Sequence, residues 1–189
     1  MYNVEEIKEY LKKNLNSSRY NHVMGVVSTA KSLAKHYDCD IDKAEIAALC
    51  HDVAKNLNNS DMNKIFKDNN IILSRDEEHG KEIWHAIVGP IIAKKTFGIN
   101  DEDILNAIRW HTTGRENMSI LEKIIYLADV IEPSRNFNGV EEIRKYAFKD
   151  IDNAMIMALT HTNQYLLTKG FAVDINTVKA RNYLLYNKN

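Results

Sequence analysis

Glycine and proline are scarce in this chain, and their scarcity limits the folds that are open to it. Only 7 glycines and 2 prolines occur in 189 residues, so the sequence offers few sites for tight turns. Long segments rich in Lys, Glu, Leu, Ala and Ile lie between them. We therefore predict an all-α fold, a compact helical bundle of roughly nine or ten helices that forms one domain over residues 1–189.

Apolar residues at helical spacing, together with capping residues, set the predicted helix bounds. Ser17 and Ser18 offer an N-cap, and Asp42/Glu45 and Ser119/Glu122 have the spacing of capping boxes. Residues 71–80 are predicted to be irregular, and Pro90 to kink or break its helix. The predicted helices are 4–15, 17–37, 42–55, 61–68, 81–97, 101–110, 119–132, 140–148, 151–168 and 177–186.

Charge and hydropathy exclude several classes of partner. The net charge is −1 and no long basic run occurs, which argues against a nucleic-acid polymer as partner. Apolar stretches fall short of the roughly 20 residues that span a bilayer, and the N-terminus has no signal-peptide pattern. Two cysteines are too few for a disulfide framework, and we expect Cys50 to act as a small buried apolar residue. We expect a cytoplasmic protein, and leave open whether it forms a homo-oligomer.

Six histidine and aspartate side chains interrupt or end helical segments that are otherwise apolar. Each one alone would more often be a hydrogen-bonded core residue, but six on five helices indicate a shared ligand. His36 and His79 lie in polar surroundings and are expected at the surface, whereas His161 fits the core. The six residues are His22, His51, Asp52, His85, His111 and Asp129.

Imidazole and carboxylate groups are ligands for Fe, Mn, Zn or Co rather than for Ca or Mg. Four histidines and two aspartates exceed the needs of one tetrahedral ion, so we predict a di-metal centre with Asp52 as the bridge. Two ions about 3.5–4 Å apart can hold a hydroxide and clamp a phosphoryl group. Because no activated serine or cysteine stands out, we expect the metal-bound hydroxide to attack the substrate directly.

Cationic side chains near these positions suit a phosphate-containing substrate. Lys55 lies on the same helix face as His51 and Asp52, and Arg135 follows the helix of Asp129 by a few residues. A solvated lysine at a helix end and a surface loop arginine are equally compatible with these positions. Arg19, one turn before His22, is a weaker candidate, and Trp84 and Trp110 are expected to pack.

The ordered set His22, His51-Asp52 and Asp129 resembles the signature of the HD-domain metal-dependent phosphohydrolases. His85 and His111 resemble the additional ligands of the two-metal members, and the resemblance covers about residues 19–135. Local sequences around these positions are also similar to those of the bacterial YqeK-type hydrolases, which cleave diadenosine tetraphosphate symmetrically to two ADP. At this level the similarity reaches residues 177–182 and covers nearly the whole chain.

The resemblance implies an iron-containing di-metal centre held by the six residues, with manganese, cobalt and zinc as the alternatives. It implies catalytic roles for Asp52, Lys55, His85 and His111. It also implies nucleotide contacts, which include the loop at residues 171–177. The implied contacts are Lys55, His85, His111, Thr112, Asp129, Arg135, Ala172, Val173, Asp174 and Thr177.

The predicted function is therefore metal-dependent hydrolysis of dinucleoside polyphosphates, with ADP as product. One alternative is another HD phosphohydrolase, such as a nucleotidase or a cyclic-nucleotide phosphodiesterase. A second, from another class, is a non-catalytic nucleotide-binding regulatory module, against which the complete ligand set argues. The products formed from diadenosine tetraphosphate and the metal content of the protein discriminate among these hypotheses.

Overall fold

The computed structural model describes residues 3–188, and within this range it contains α-helices and no β-strand. The predicted all-α fold is thus confirmed, with eleven α-helices described instead of nine or ten. A short 3₁₀ turn, Lys81–Ile83, precedes α6. The helices are α1 Val4–Asn14, α2 Ser17–His36, α3 Ile41–Cys50, α4 Asn59–Asp68, α5 Arg75–His79, α6 Trp84–Phe97, α7 Glu102–Trp110, α8 Ile120–Ile131, α9 Val140–Ala147, α10 Ile151–Thr168 and α11 Ile175–Tyr186.

Short polar side chains begin most of these helices by accepting a hydrogen bond from a free backbone N–H. Ser119 and Glu122 form the predicted capping box of α8. The predicted caps of α2 and α3 were wrong. Asn16 caps α2 and Asp40 caps α3, each accepting from the N–H three residues ahead. Ser17 follows the cap Asn16 directly, and Asp42 lies two residues after the cap Asp40, so spacing alone did not distinguish the cap from a similar residue nearby.

Three predictions along the chain need correction. Helix α3 ends at Cys50 instead of residue 55, and tighter i→i+3 bonds follow it, such as Lys55 N–H to Asp52 O at 2.9 Å. The stretch 71–80 contains α5, which Ser74 opens with a capping box. Pro90 does not break α6, which runs unbroken through it, since one missing donor in a helix packed against others can be tolerated.

Helices α2, α3, α6, α7 and α8 pack on one another and position the six singled-out residues. Helix α2 packs on α3 and α8, and α7 packs on α6 and α8. Their contact faces are apolar, and Leu49, Ile108 and Leu127 are fully buried there. Burial of each such side chain contributes roughly 1.5–3 kcal/mol, so the helix ends that carry polar residues are held firmly.

Gly89 marks the closest approach between α6 and its neighbours. A Cβ atom at this position would lie 2.9 Å from Ile108 Cγ2 on α7 and 3.8 Å from the carbonyl oxygen of His51. The absence of a side chain therefore brings α6 close enough for His85 to reach Asp52 and His111. No helix in residues 3–188 is both long and apolar enough to cross a membrane.

Candidate metal centre

His51 and His111 occupy matching positions, each directly after the last residue of a helix. The His51 Nδ1 lies 2.6 Å from the carbonyl oxygen of Ala48, and the His111 Nδ1 lies 2.7 Å from that of Ile108. A carbonyl oxygen only accepts, so Nδ1 carries the proton in both rings. Each ring therefore turns the lone pair of Nε2 towards the centre, which is the arrangement of a metal-ligating histidine.

His22 is oriented by a carboxylate that the sequence reasoning did not assign to the site. Its Nδ1 lies 3.0 Å from Glu132 Oε1, and Glu132 is only 2% exposed. Ser134 fixes this carboxylate with its hydroxyl group and with its backbone N–H, which lies 2.8 Å from Oε2. Gly25 makes room for it, because a Cβ there would lie 2.6 Å from Glu132 Oε2. Glu132 thus holds the His22 ring with Nε2 facing the centre.

The two carboxylates of the predicted set lie among the imidazole nitrogens. Asp129 Oδ1 is 3.0 Å from His22 Nε2. Asp52 Oδ2 is 3.5 Å from His51 Nε2 and 3.9 Å from His22 Nε2. Its other oxygen, Oδ1, is 3.2 Å from His85 Nε2 and 3.7 Å from His111 Nε2. The structure therefore brings all six predicted residues together, with the two oxygens of Asp52 facing different histidine pairs.

The donor atoms fit a metal ion better than they fit one another. Among residues 3–188, the buried Nε2 atoms of His22 and His51 have no hydrogen-bond partner. When its Nδ1 carries the proton, the Nε2 lone pair of His22 faces an Asp129 oxygen, a repulsive contact that a cation between them would reverse. Two ligand groups, His22 with His51 and Asp129, and His51 with Asp52 and His111, each have donor atoms within 4.8 Å of one another. The residues present thus fit a metal centre.

The charges at the centre shift several pKa values. Burial raises the pKa of Asp52 and of Asp129, but His51 opposes this for Asp52, and His22, when its Nε2 carries a proton, opposes it for Asp129, so both are lowered well below the usual range. The neighbouring aspartates outweigh burial at His51 and raise its pKa. At His85 burial dominates, and the pKa falls to about 4. The carboxylates are therefore ionised and His85 is neutral at pH 7.

Three cationic side chains border the centre. The Lys55 Nζ lies 3.3 Å from His85 Nε2, and burial lowers its pKa. Arg135 donates to the Asp129 side chain and, at 2.8 Å, to its backbone oxygen. Arg19, ranked lower from sequence, donates to Asp52 Oδ2 at 2.9 Å. Helix α3 ends at Cys50, so Lys55 and Asp52 lie in turns and not on the shared helix face from which Lys55 was selected.

A cavity of about 290 Å³ has Thr112 and Thr113, the residues that follow His111, in its wall. Its wall contains four predicted contacts from the loop at residues 171–177 and one predicted contact next to His111. Three carboxylates also line it, from Asp76, Glu82 and Asp174. The five predicted nucleotide contacts in its wall are Thr112, Ala172, Val173, Asp174 and Thr177.

The remaining singled-out residues lie apart from the metal ligands. His36 and His79 are exposed, as expected, although His79 also borders the cavity. His161 is half-buried and stacks on Phe137, with ring centroids 4.2 Å apart. Trp84 packs in the core and donates to the carbonyl oxygen of Glu77 at 2.6 Å. Cys50 is fully buried, as predicted, and burial raises the pKa of its thiol.

The sequence of this chain matches known proteins over nearly its full length. The family model of the HD domain matches residues 19–134. The relative named symmetrical bis(5'-nucleosyl)-tetraphosphatase in Bacillus subtilis (strain 168) is 42% identical, over 97% of this chain and 98% of its own length. That of the same name in Halalkalibacterium halodurans is 44% identical, over 94% of each chain.

A solved structure is similar over the whole chain. The crystal structure of a Clostridium acetobutylicum protein, described as a predicted HD superfamily hydrolase involved in NAD metabolism, has a TM-score of 0.96. It is 45% identical and covers 100% of both chains. These matches confirm the family resemblance drawn from the motifs. The chain therefore belongs to the HD domain family and groups there with the relatives named symmetrical bis(5'-nucleosyl)-tetraphosphatases.

Proposed function

We propose that this protein is a metal-dependent hydrolase that cleaves diadenosine tetraphosphate symmetrically into two ADP. The observation that carries the proposal is the position of Asp52 between two histidine pairs, with three cationic side chains in contact with the ligand set. The relatives at 42% and 44% identity over nearly full length bear the name of this activity. The HD domain itself implies a divalent metal.

The six predicted residues would hold two ions, one on each side of Asp52. His22, His51 and Asp129 would hold the first, and His85 and His111 the second, with Asp52 shared. When bound, such ions lower the pKa of a coordinated water and stabilise charge on a transferring phosphoryl group. Within this set, iron agrees best with the resemblance, and the imidazole and carboxylate ligands also suit manganese, cobalt or zinc.

The side chains around the centre suit two different parts of the substrate, a neutral nucleoside and an anionic phosphate chain. Asp76, Glu82 and Asp174 line the cavity, and their carboxylates would repel phosphate but accept hydrogen bonds from ribose hydroxyls or an adenine amino group. Its volume of about 290 Å³ is near the roughly 300 Å³ lower limit of ligand pockets. The cavity therefore suits a nucleoside, with Thr112 at the inner end next to His111.

The phosphate chain would run from this cavity across the centre, where the cations lie. Lys55 and Arg135 border it and would neutralise phosphates, Arg135 with a planar donor fork and Lys55 as a point charge. These contacts hold the central phosphorus beside the ligand set and align it for in-line attack. Positioning of this kind can supply several kcal/mol of the barrier reduction, on the order of 7 kcal/mol or more in well-oriented systems.

The nucleophile is assigned to water. The thiol nearest to the ligands in sequence, Cys50, is fully buried and its pKa is raised, so it is not a nucleophile. One water supplies a hydroxyl group to one central phosphorus, and the bond from this phosphorus to the bridging oxygen breaks. The bridging oxygen leaves on the other half and receives the proton, so that one water and one substrate give two ADP.

Product analysis on diadenosine tetraphosphate tests the proposed function. The metal-loaded protein is expected to release ADP alone, and Asp52→Asn to lower turnover on the order of 10³-fold or more. Asp68→Asn, a matched change at an exposed carboxylate on α4, should leave turnover unchanged. Formation of AMP and ATP, absence of hydrolysis, or full activity of the Asp52 variant would each contradict the proposal.

The identity of the metal has its own test. Protein stripped of metal and reconstituted in separate samples with Fe²⁺, Mn²⁺, Co²⁺ or Zn²⁺ is expected to recover the highest turnover with iron. A higher turnover with any of the other three ions would assign the centre to that ion and would leave the proposed reaction unchanged.

A further inference from the structure

A second cavity opens beside His22. This groove, of about 480 Å³, lies between the start of α2 and the loop that follows α8. Its wall includes the ligand His22 and both arginines that contact the ligand carboxylates. The rest of the wall contains Glu132, whose carboxylate is paired with His22 and Ser134, and short polar side chains, among them Asn16, Ser18 and Asn136.

A series of neighbouring histidine rings links the groove with the nucleoside cavity. The groove and the cavity share no lining residue. The His51 ring stands between them, with its centroid 5.5 Å from that of His22 at the groove end. It lies 5.0 Å from the ring of His111, the neighbour of the cavity residue Thr112. A substrate cleaved at its centre would therefore extend from the ligand set in both directions.

The chemistry of the groove differs from that of the cavity. Arg19 and Arg135 contact Asp52 and Asp129, and their side chains remain 30% and 38% exposed towards this side. Each guanidinium has five N–H donors, more than its contacts with the ligand carboxylates use. Phe137 is the aromatic residue of the wall, and its ring already stacks on His161. The groove therefore suits phosphate and ribose groups better than an apolar base.

We propose that the groove binds the second nucleoside diphosphate half of a dinucleoside tetraphosphate, through its phosphates and ribose. This inference rests on the proposed function. It adds that the protein binds the two chemically identical halves of the substrate in different ways. One half is enclosed in the carboxylate-lined cavity, and the other lies in an open cationic groove. Ser18 and Asn136 contact the substrate in the groove, although neither residue is a metal ligand or a catalytic residue.

A charge placed in the groove tests this proposal. Ser18→Glu adds a carboxylate to the groove wall, whereas Ser17→Glu adds the same charge one residue earlier, outside the wall. Both positions are exposed in the first turn of α2, where a glutamate favours the helix, so both variants should fold. The measurements are KM and kcat for diadenosine tetraphosphate, and the Kd values of ADP and of a non-hydrolysable β,γ-methylene analogue of the dinucleotide.

Ser18→Glu is expected to raise KM and the analogue Kd about tenfold at low salt, because like charges repel, with less effect at high salt. The Kd of ADP, seated in the cavity, should change less than about twofold, and Ser17→Glu should match the wild type in every measurement. Equal behaviour of the two variants overturns the groove proposal, as does an equal loss of ADP and analogue binding. If the wild type binds the analogue but does not release ADP from the substrate, the proposed function is contradicted. The groove proposal is then tested by the analogue Kd alone, through the difference between Ser18→Glu and Ser17→Glu.

Discussion

Glu132 orients the predicted ligand His22 without being a predicted ligand itself. It is buried, it holds His22 through Nδ1, and Ser134 holds it in turn. A carboxylate in this position fixes the ring and raises the basicity of the opposite nitrogen. A signal for it was present in the sequence, since Glu132 lies three residues after Asp129 at the end of the same helix. Spacing could not show that it turns inward past Gly25.

Glu132→Gln should keep the shape of this side chain and remove its charge. We expect metal affinity, measured by calorimetric titration of the metal-free protein, to fall roughly ten- to hundredfold. Glu141→Gln, which removes a carboxylate that is exposed on α9, is the matched control and should bind metal as the wild type does. An unchanged affinity in Glu132→Gln would show that the contact with His22 does not support the ligand.

The neutral state of buried His85 predicts a pH dependence of stability in the metal-free protein. Its folded pKa of about 4 lies below the ordinary value of 6.5, so the unfolded chain binds more protons between these values. Stability from this residue is present above pH 6.5 and is lost as the pH falls towards 4. Between pH 7 and 5 the wild type should lose about 2 kcal/mol more unfolding free energy than His85→Gln, measured with urea. Parallel losses in the two proteins would contradict this assignment.

The clustering of the six histidine and aspartate residues was predictable because each stands out locally. A histidine or aspartate on an apolar helical segment requires a partner, and this holds whatever the fold. All six residues selected in this way lie together in the structure. The ranking of the cations failed for Arg19, whose contact with Asp52 spans 33 residues of sequence and depends on how α2 packs on α3.

Among the helices, α6 positions His85 because it packs close to α7. The proximity rests on Gly89, which faces Ile108 Cγ2. Gly89→Ala would force the two helices apart, and overpacking of this kind costs about 1–3 kcal/mol, more than the roughly 1 kcal/mol that alanine gains in a helix. We expect a net loss of stability in urea unfolding.

A double-mutant cycle with Ile108→Ala isolates the cause of this loss. Ile108→Ala alone destabilises the core by leaving a cavity, but it also removes the atom that a methyl group at position 89 would meet. Gly89→Ala should therefore cost at least about 0.5 kcal/mol less in the Ile108→Ala background than in the wild type. Additive effects would show that the contact with Ile108 is not what keeps residue 89 a glycine.

Helix bounds were predicted well where punctuation was unambiguous. The Ser119/Glu122 box and Gly98, with its left-handed φ of 66°, set the ends of their helices as expected. The errors lie at α3 and α5. The apolar pattern continues past Cys50, but the backbone tightens into turns there, and this change places His51 and Asp52 at the centre. Periodicity does not distinguish a helix from a series of such turns.

For the whole molecule, the proposed ligands lie on or directly after five helices, so we expect metal binding and folding to be coupled. An ion that binds only the folded protein adds about 2.7 kcal/mol at a free concentration one hundred times its Kd. Chelation should therefore lower the Tm by about 5–10 °C for a chain of this size. Asp52→Asn should show a much smaller change on chelation, as followed by differential scanning fluorimetry, and an unchanged wild-type Tm would contradict the coupling.

The fold as a whole could be predicted from few features. Sparse Gly and Pro and helical periodicity were enough for an all-α bundle, and the ordered motif for the family. Five residues of the nucleoside cavity were expected from the family resemblance, but its carboxylates Asp76 and Glu82 and the whole groove could not be predicted, because these walls combine residues from distant parts of the chain. Such surfaces depend on the packing of whole helices and not on a local pattern.

The central claim is that one carboxylate, Asp52, joins two metal sites. It is tested most directly by counting the metal bound per chain, with inductively coupled plasma mass spectrometry on protein saturated with the activating ion and then desalted. We predict two ions per chain in the wild type, one in His111→Ala, and fewer than one in Asp52→Ala. A single ion in the wild type, or two ions retained in Asp52→Ala, would contradict the claim.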